Sequence, residues 1–421
     1  MLTPSRLAVA TTLLRVFGEG QRVPDDWDRS LQGPDAPLAQ ALLGLVLRRW
    51  GRLRAWVKPR LKDPERGVPL GTDLALAMGL AQLAWLDGVA AHAAVNEGVA
   101  QVADPELGFP PHRGLVNALL RKASADREAL RAELEALPAA LDRSPFAARI
   151  LEAALGGSEE VEALWARLQQ PPRPDFHRLR DEPLPEGMAP DPALPGLLRL
   201  APEAPFPLAW LQSGAGMVQD RSSQALMAFH WDRPVARLAD LCAAPGGKAT
   251  LLGRRWPEAK LLALEQHAAR AERLKANLAQ RGIAAEVQVS DASQWLAGGG
   301  RPFDLILLDA PCSGTGTLQK HPELAWIGGS LDLPALVLRQ RQLLEAAARR
   351  LAPGGLLVYA VCSWLPEEGL AHRTWLHARV PGLKAAAVWD GPGAAEGGAC
   401  FRPDPLVWTG EGFQAFALTR D

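Results

Sequence analysis

Eleven prolines fall between Pro171 and Pro207, and no long helix can run through them. They cut a chain of 421 residues into two stretches of different pattern. Ahead of the cut, Ser5–Phe17, Pro37–Trp56, Thr72–Leu86, Val89–Val102 and Gly114–Ala123 place Leu, Val and Ala at helical spacing. Breakers such as Gly20, Pro64, Gly71, Gly88 and Gly108-Phe109-Pro110-Pro111 separate them. An all-α bundle of about five to eight helices is expected there. The proline-rich stretch reads as a connector with a few short strands, for example around Asp175–Leu179.

Beyond about Gly214, strands alternate with helices. Val235–Cys242, Lys260–Glu265, Ala285–Asp291, Phe303–Asp309 and Leu356–Ser363 read as strands. Ala269–Arg281 and about Leu333 to Leu351 read as helices, the second stopped by Pro353-Gly354-Gly355, and the last element ends with Gly412–Thr419. Such alternation implies an α/β domain with a mostly parallel, doubly wound sheet. The expected organisation is a helical domain over 1–140, a helical and proline-rich connector over 141–213, and an α/β domain over 214–421.

Composition limits the chemistry. A hydrophobic fraction of 48% and a charged fraction of 22% suit a soluble globular protein, and a net charge of -1 confines any nucleic-acid contact to a local patch. Four cysteines, none in a Cys-x-x-Cys pair, suggest neither a disulfide framework nor a metal site, so a reducing, cytoplasmic compartment is expected. No apolar run is long enough to span a membrane, and a monomer is expected. Arg48, Arg49, Arg52, Arg54, Lys58, Arg60 and Lys62, interleaved with Trp50 and Trp56, form the one basic stretch suited to phosphates and unpaired bases. Its alternative is a solvated helix face over core tryptophans.

Five strand ends carry the residues of interest. Asp240-Leu241-Cys242-Ala243-Ala244-Pro245-Gly246-Gly247-Lys248 is a glycine loop after a strand, neither a dinucleotide fingerprint nor a Walker loop. Glu265 ends the next strand, where an acid can accept hydrogen bonds from ribose hydroxyls, and Asp291 ends the third. Together they point to a nucleoside-type cofactor. Asp309-Ala310-Pro311-Cys312-Ser313-Gly314 and Tyr359-Ala360-Val361-Cys362-Ser363 end two further strands in a thiol each. A buried cysteine is usually a small hydrophobe. Two of them at neighbouring strand ends suit covalent chemistry on a pyrimidine, whose carbon 5 is too weak a nucleophile by itself. A thiolate adding to carbon 6 activates carbon 5 toward the methyl of S-adenosylmethionine. A carboxyl group near ring nitrogen 3 stabilises the developing charge.

Leu241–Lys248, Asp309–Gly316 and Tyr359–Glu368 resemble the motifs of the RNA cytosine-5 methyltransferase family that has two active-site cysteines. Gly216–Gln224 and His321-Pro322-Glu323-Leu324-Ala325-Trp326 resemble further parts of it. His92–Glu97 and Gly114–Arg121 are similar to a NusB-like RNA-binding domain, as in the bacterial 16S ribosomal RNA enzymes of the RsmB type. The resemblance implies a NusB-like bundle followed by a Rossmann-like methyltransferase domain, S-adenosylmethionine as cofactor and 16S ribosomal RNA as substrate. It also implies Cys362 as nucleophile, Cys312 as the release residue and Asp309 at the base. Cys242, Ala243, Ala244, Pro245, Gly246, Gly247, Lys248, Glu265, Asp291 and Asp309 would line the cofactor pocket.

The chain departs from the family pattern in three places. Gly369 stands where Asn is usual, the connector reads Phe176-His177-Arg178-Leu179-Arg180 in place of an Arg-x-Asn-like strand, and Gly412-Phe413-Gln414 replaces Gly-Phe-Phe. Other readings keep the chemistry on transfer RNA, or make the chain a catalytically silent NusB-like RNA-binding factor. DNA cytosine methylation would want Gln after the Pro-Cys pair, and amino-group methylation an aromatic in place of Cys312.

Overall fold

The computed structural model describes residues 2–24, 26–156 and 160–421. They gather into two units, Met1–Leu151 with Trp165–Pro171 and Leu318–Leu331, and Glu152–Leu164 with Pro172–Thr317 and Asp332–Asp421.

The first unit is helical. Its helices are α1 (Pro4–Glu19), α2 (Asp35–Val57), α3 (Leu70–Trp85), α4 (Ala91–Ala103), α5 (Arg113–Ser124) and α6 (Arg127–Ala136). Two more, α7 (Pro145–Leu155) and α8 (Val161–Leu168), complete the helical run of the chain. Every residue from Thr72 to Ala84 is buried, which makes the nearly all-apolar α3 the centre of the bundle. The short segment Leu318–Leu331 belongs to this unit, where the Trp326 indole N–H donates to the Leu47 carbonyl at 2.8 Å and Arg48 donates to that of Gln319 at 2.9 Å.

Of the basic stretch at the end of α2 and just past it, only Arg52 is buried. Trp50 and Trp56 are core residues, Arg52 is buried against Asp142 at 2.6 Å, and Arg54 and Arg60 pair with Asp73 and Glu133. Burying unpaired cations is costly, so the acids of neighbouring segments neutralise them. Arg54, Lys58 and Lys62 remain exposed.

The second unit holds two sheets. The smaller is antiparallel, with β1 (Asp175–Arg178), β2 (Met188–Pro190), β3 (Leu197–Leu200) and β4 (Gly216–Val218) in the order β2-β3-β1-β4. Only β1 of these is legible in the sequence, because strands of three or four residues carry no alternation to read. Two short helices, α9 (Leu208–Gln212) and α10 (Arg221–Met227), flank β4 in sequence. The larger sheet is built from β5 (Arg237–Asp240), α11 (Gly247–Arg255), β6 (Lys260–Glu265), α12 (Ala268–Gln280), β7 (Glu286–Val289), α13 (Ala292–Ala297), β8 (Phe303–Asp309), α14 (Leu333–Arg349), β9 (Leu351–Val361) and α15 (Ala371–His377). After them come β10 (Leu383–Ala385), β11 (Ala394–Ala395), β12 (Cys400–Phe401) and β13 (Gln414–Arg420).

Strand order is β11-β12-β13-β9-β8-β5-β6-β7, with β10 beside β13. The pairs from β7 through β9 are parallel, while β13 runs antiparallel to β9. The continuous aliphatic run Leu356–Val361 is wholly buried, as a strand covered on both faces must be. The chain moves outward from β5 to β7 and then restarts on the other side with β8, so the strand order reverses at β5. Ligands of such sheets bind beyond the carboxyl ends of the strands at that reversal.

One boundary differs from the sequence reading. Pro353-Gly354-Gly355 does not precede the fifth strand but lies inside β9, where the register slips between Phe303↔Leu351 and Leu305↔Leu356. Gly354 has φ 72°, a left-handed conformation that suits glycine at an irregular pairing.

Candidate active site

Four strand ends, those of β5, β6, β8 and β9, carry the functional side chains. The β5 loop turns into α11 at Gly246, whose φ of 105° admits no ordinary side chain, and a Cβ there would come 2.9 Å from Leu274. Asn277 of α12 donates to the Pro245 carbonyl at 2.7 Å and fixes the loop against β6's following helix. Asp240 ends β5, with 1% of its surface exposed, and accepts from the Cys242 N–H at 3.4 Å. Burial first, then the charge of Asp309, pushes its carboxyl up to about 7. The same causes, burial ahead of Asp240 and Asp309, raise the Cys242 thiol, which keeps it protonated.

Lys248, on the first turn of α11, reaches Asp309 at the end of β8 with Nζ–Oδ2 2.7 Å. Burial acts to lower its ammonium, but Asp309 outweighs this and holds Lys248 above its ordinary value. Glu265 is 5% exposed, accepts from the His267 N–H at 2.9 Å and lies 3.6 Å from Arg270. Asp291 instead caps α13. It accepts from the Gln294 N–H at 3.1 Å and the Ser293 hydroxyl at 2.6 Å, and it pairs with Arg339 of α14. Burial pulls its carboxyl up, yet these donors together leave it below its usual range.

Because β8 and β9 are neighbours, with Asp309 opposite Ala360, the residues just past their ends meet. Cys312 Sγ and Cys362 Sγ are 3.5 Å apart. The contact with Cys362, then burial, raises the Cys312 thiol well above its usual value. The structure thus joins Cys312, Cys362, Asp309 and Lys248 in one cluster.

Sequence reasoning missed the residues behind the thiols. Glu368 is fully buried, and it accepts from the Ser313 N–H at 2.7 Å, the Ser363 hydroxyl at 2.6 Å, the Gln340 amide at 3.0 Å and the Ser313 hydroxyl. A signal existed: the dipeptide Cys-Ser occurs at both strand ends. Gln340, midway along α14, gave none.

Two of the sequence departures turn out to be neighbours. The Gln414 amide donates to the carbonyls of Ser363 and Leu365, each at 3.0 Å, and a Cβ at Gly369 would lie 2.4 Å from Gln414 Oε1. Glutamine at 414 therefore requires glycine at 369.

The chain is similar to known proteins along most of its length. Residues 232–378 match the family model for 16S rRNA methyltransferase RsmB/F, and residues 3–125 match the NusB family. The ribosomal RNA small subunit methyltransferase B of Pasteurella multocida is 33% identical over 87% of this chain and 85% of its own length. That of Klebsiella pneumoniae subsp. pneumoniae is 32% identical over 91% of each. Among solved structures, PH0851 shares the fold over the full length of both chains, with TM-score 0.74 and 20% identity. With the glycine loop, the strand-end acids and the helical domain all in place, the chain belongs to the ribosomal RNA small subunit methyltransferase B family and is an S-adenosylmethionine-dependent RNA methyltransferase.

Proposed function

We propose that this chain methylates carbon 5 of a cytosine in 16S ribosomal RNA through a covalent bond between Cys362 and carbon 6 of the base. The observation that carries the reading is the 3.5 Å thiol pair beside the Lys248–Asp309 ion pair. The relatives named above act on small-subunit ribosomal RNA, which supports the substrate.

The donor set fits the cofactor. Asp240 and Glu265 end adjacent parallel strands, and Gly246 and Gly247 bring backbone close to the same place. The loop Cys242–Lys248, Glu265, Asp291 and Asp309 would hold the cofactor, with Glu265 at its ribose hydroxyls. Once bound, S-adenosylmethionine supplies an electrophilic methyl group.

The chain's own residues do the rest. The target base must be unpaired or flipped out, since its ring carbons are unreachable inside a stack. Cys362, at the end of β9, attacks carbon 6 as its thiolate, and Cys312, 3.5 Å away at the end of β8, serves release. Asp309, oriented by Lys248, stabilises the charge that appears around ring nitrogen 3. After carbon 5 is methylated, Cys312, once its own proton has passed to solvent, takes the carbon 5 proton as a thiolate, the carbon 5–carbon 6 double bond reforms from the C–H electrons, and the Cys362 sulfur leaves carbon 6 as a thiolate.

Bisulfite sequencing of small-subunit ribosomal RNA tests the reading. A strain lacking the gene should lose one 5-methylcytosine, and the gene should restore it. An unchanged ribosomal map with a change in transfer RNA would move the substrate and keep the chemistry. No change in either, with purified protein that binds RNA but not S-adenosylmethionine, would leave only an RNA-binding factor.

A further inference from the structure

We propose that Glu368 is a positioning residue whose single carboxylate clamps the Cys312 loop to the Cys362 turn and so sets the separation of the two thiols. The inference rests on the two-thiol reading of the reaction given above.

Glu368 touches neither thiol. It grips the residue that follows each of them. Its Oε1 accepts from the Ser313 N–H at 2.7 Å, one residue past Cys312. Its Oε2 accepts from the Ser363 hydroxyl at 2.6 Å, one residue past Cys362, and from the Ser313 hydroxyl. Thr315 Oγ1 and Ser363 Oγ lie 2.9 Å apart, a second bridge between the same two segments. From the side of α14, Gln340 donates to Glu368 at 3.0 Å and to the Pro311 carbonyl at 2.9 Å, so it holds the Cys312 loop on the near side of the thiol as well. Gln340 is itself held by His372 at 2.9 Å. Burial pushes His372 down to about 4, so near neutral pH its ring is neutral and one ring nitrogen can donate to the Gln340 oxygen. The Tyr359 hydroxyl donates to the Glu368 carbonyl at 2.6 Å and fixes the backbone of the clamp.

A fully buried carboxylate is an expensive way to fill a core, since apolar packing of the same volume usually serves stability as well or better. What apolar packing cannot do is hold two polar turns in register. A carboxylate offers two oxygens and about four acceptor sites, and here the donors come from both thiol-bearing segments and from α14. A shift of about 1 Å between reacting groups costs on the order of 100-fold in rate, so a clamp on this pair bears directly on the proton removal assigned to Cys312.

The test compares the full chain with Glu368→Gln, which keeps the size of the side chain but turns two acceptor oxygens into one. Ser313→Ala and Ser363→Ala each remove one hydroxyl donor to Glu368, together with that hydroxyl's contacts to its neighbours, and serve as milder variants. Three quantities are read: S-adenosylmethionine affinity by calorimetry, turnover with retention of RNA as a covalent adduct, and the rate at which diamide, itself reduced, oxidises Cys312 and Cys362 to a disulfide identified by peptide mass. The expected result for Glu368→Gln is affinity within about twofold of native, turnover lowered by roughly 10- to 100-fold with adduct accumulating, and slower cross-linking. The serine variants should fall between it and the native protein. Native turnover and cross-linking in Glu368→Gln would overturn the clamp, and so would a loss of S-adenosylmethionine binding in step with activity, which marks a residue that only supports the fold. Cross-linking needs no RNA, so the clamp can be judged even if cytosine methylation by the native chain is not found.

Discussion

The two sides of the catalytic strand ends are built in opposite ways. On the β5–β6 side, Asp240 and Glu265 are buried carboxylates with few internal donors, the nearest being the N–H groups of Cys242 and His267. On the β8–β9 side, Glu368 is just as buried but receives donors from Ser313, Ser363 and Gln340. Under-supplied acids are suited to receive a ligand's hydroxyls, because the ligand completes what the fold leaves open. A fully supplied acid can take no ligand and serves instead to hold its neighbours still. In the proposed reaction, binding falls to the side the fold left incomplete, and bond-making to the side it completed.

The largest effects should come from the thiols. Cys362→Ala is expected to lower methylation by at least about 10³-fold and to abolish covalent capture of a 5-fluorocytosine RNA, read by gel. Cys312→Ala should leave attack intact and trap RNA as a methylated adduct. An exchange of these two phenotypes would reverse the roles of the strands that bear them.

Next in size is the contrast among the acids. Glu265→Ala should weaken S-adenosylmethionine binding about 10- to 100-fold by calorimetry, or about 1.4–2.7 kcal/mol. Asp291 already serves Ser293, Gln294 and Arg339, so Asp291→Asn should cost roughly threefold or less. Equal losses would erase the distinction between committed and available carboxylates.

The remaining contrast is in stability. Asp240 is raised by burial, and then by Asp309, from the ordinary carboxylate value to about 7, so between about pH 4 and 7 the folded state holds a proton that the unfolded state releases. Its contribution is full below about pH 4 and is lost as pH rises through 7, by at most about 1.4 kcal/mol per pH unit. His372 has the opposite sign, since its lowered value withdraws stability as pH falls below 6.5. Subtracting the melting curve of Asp240→Asn from that of the native protein cancels His372, and the difference should decline from pH 5 to pH 8. A flat difference would mean that Asp240 is not desolvated as its burial implies.

Much of this was legible in the sequence, and unevenly so. β6 and β8 were read to the residue, because a parallel strand covered on both faces is a solid aliphatic run with clear ends. The thiols, Asp309 and the glycine loop were legible because each follows such a run. The small antiparallel sheet was not, since its strands are too short to show a period. Nor was the pairing of Arg52, Arg54 and Arg60, whose partners Asp142, Asp73 and Glu133 come from distant segments. The Glu368 network lay halfway: its serines beside the cysteines were visible, but Gln340 and His372 arrive from helices whose facing only the fold determines.

The segment Leu318–Leu331 has a consequence for how this protein can be taken apart. The chain leaves the methyltransferase unit after Thr317, spends those residues in the helical unit, and returns at Asp332. Leu324 and Ile327 are buried there. The helical unit is therefore not a detachable N-terminal module. Removing the first helices would leave a bare apolar loop just downstream of Cys312, and a catalytic fragment cut at one point would inherit a sticky surface where the native chain has a core.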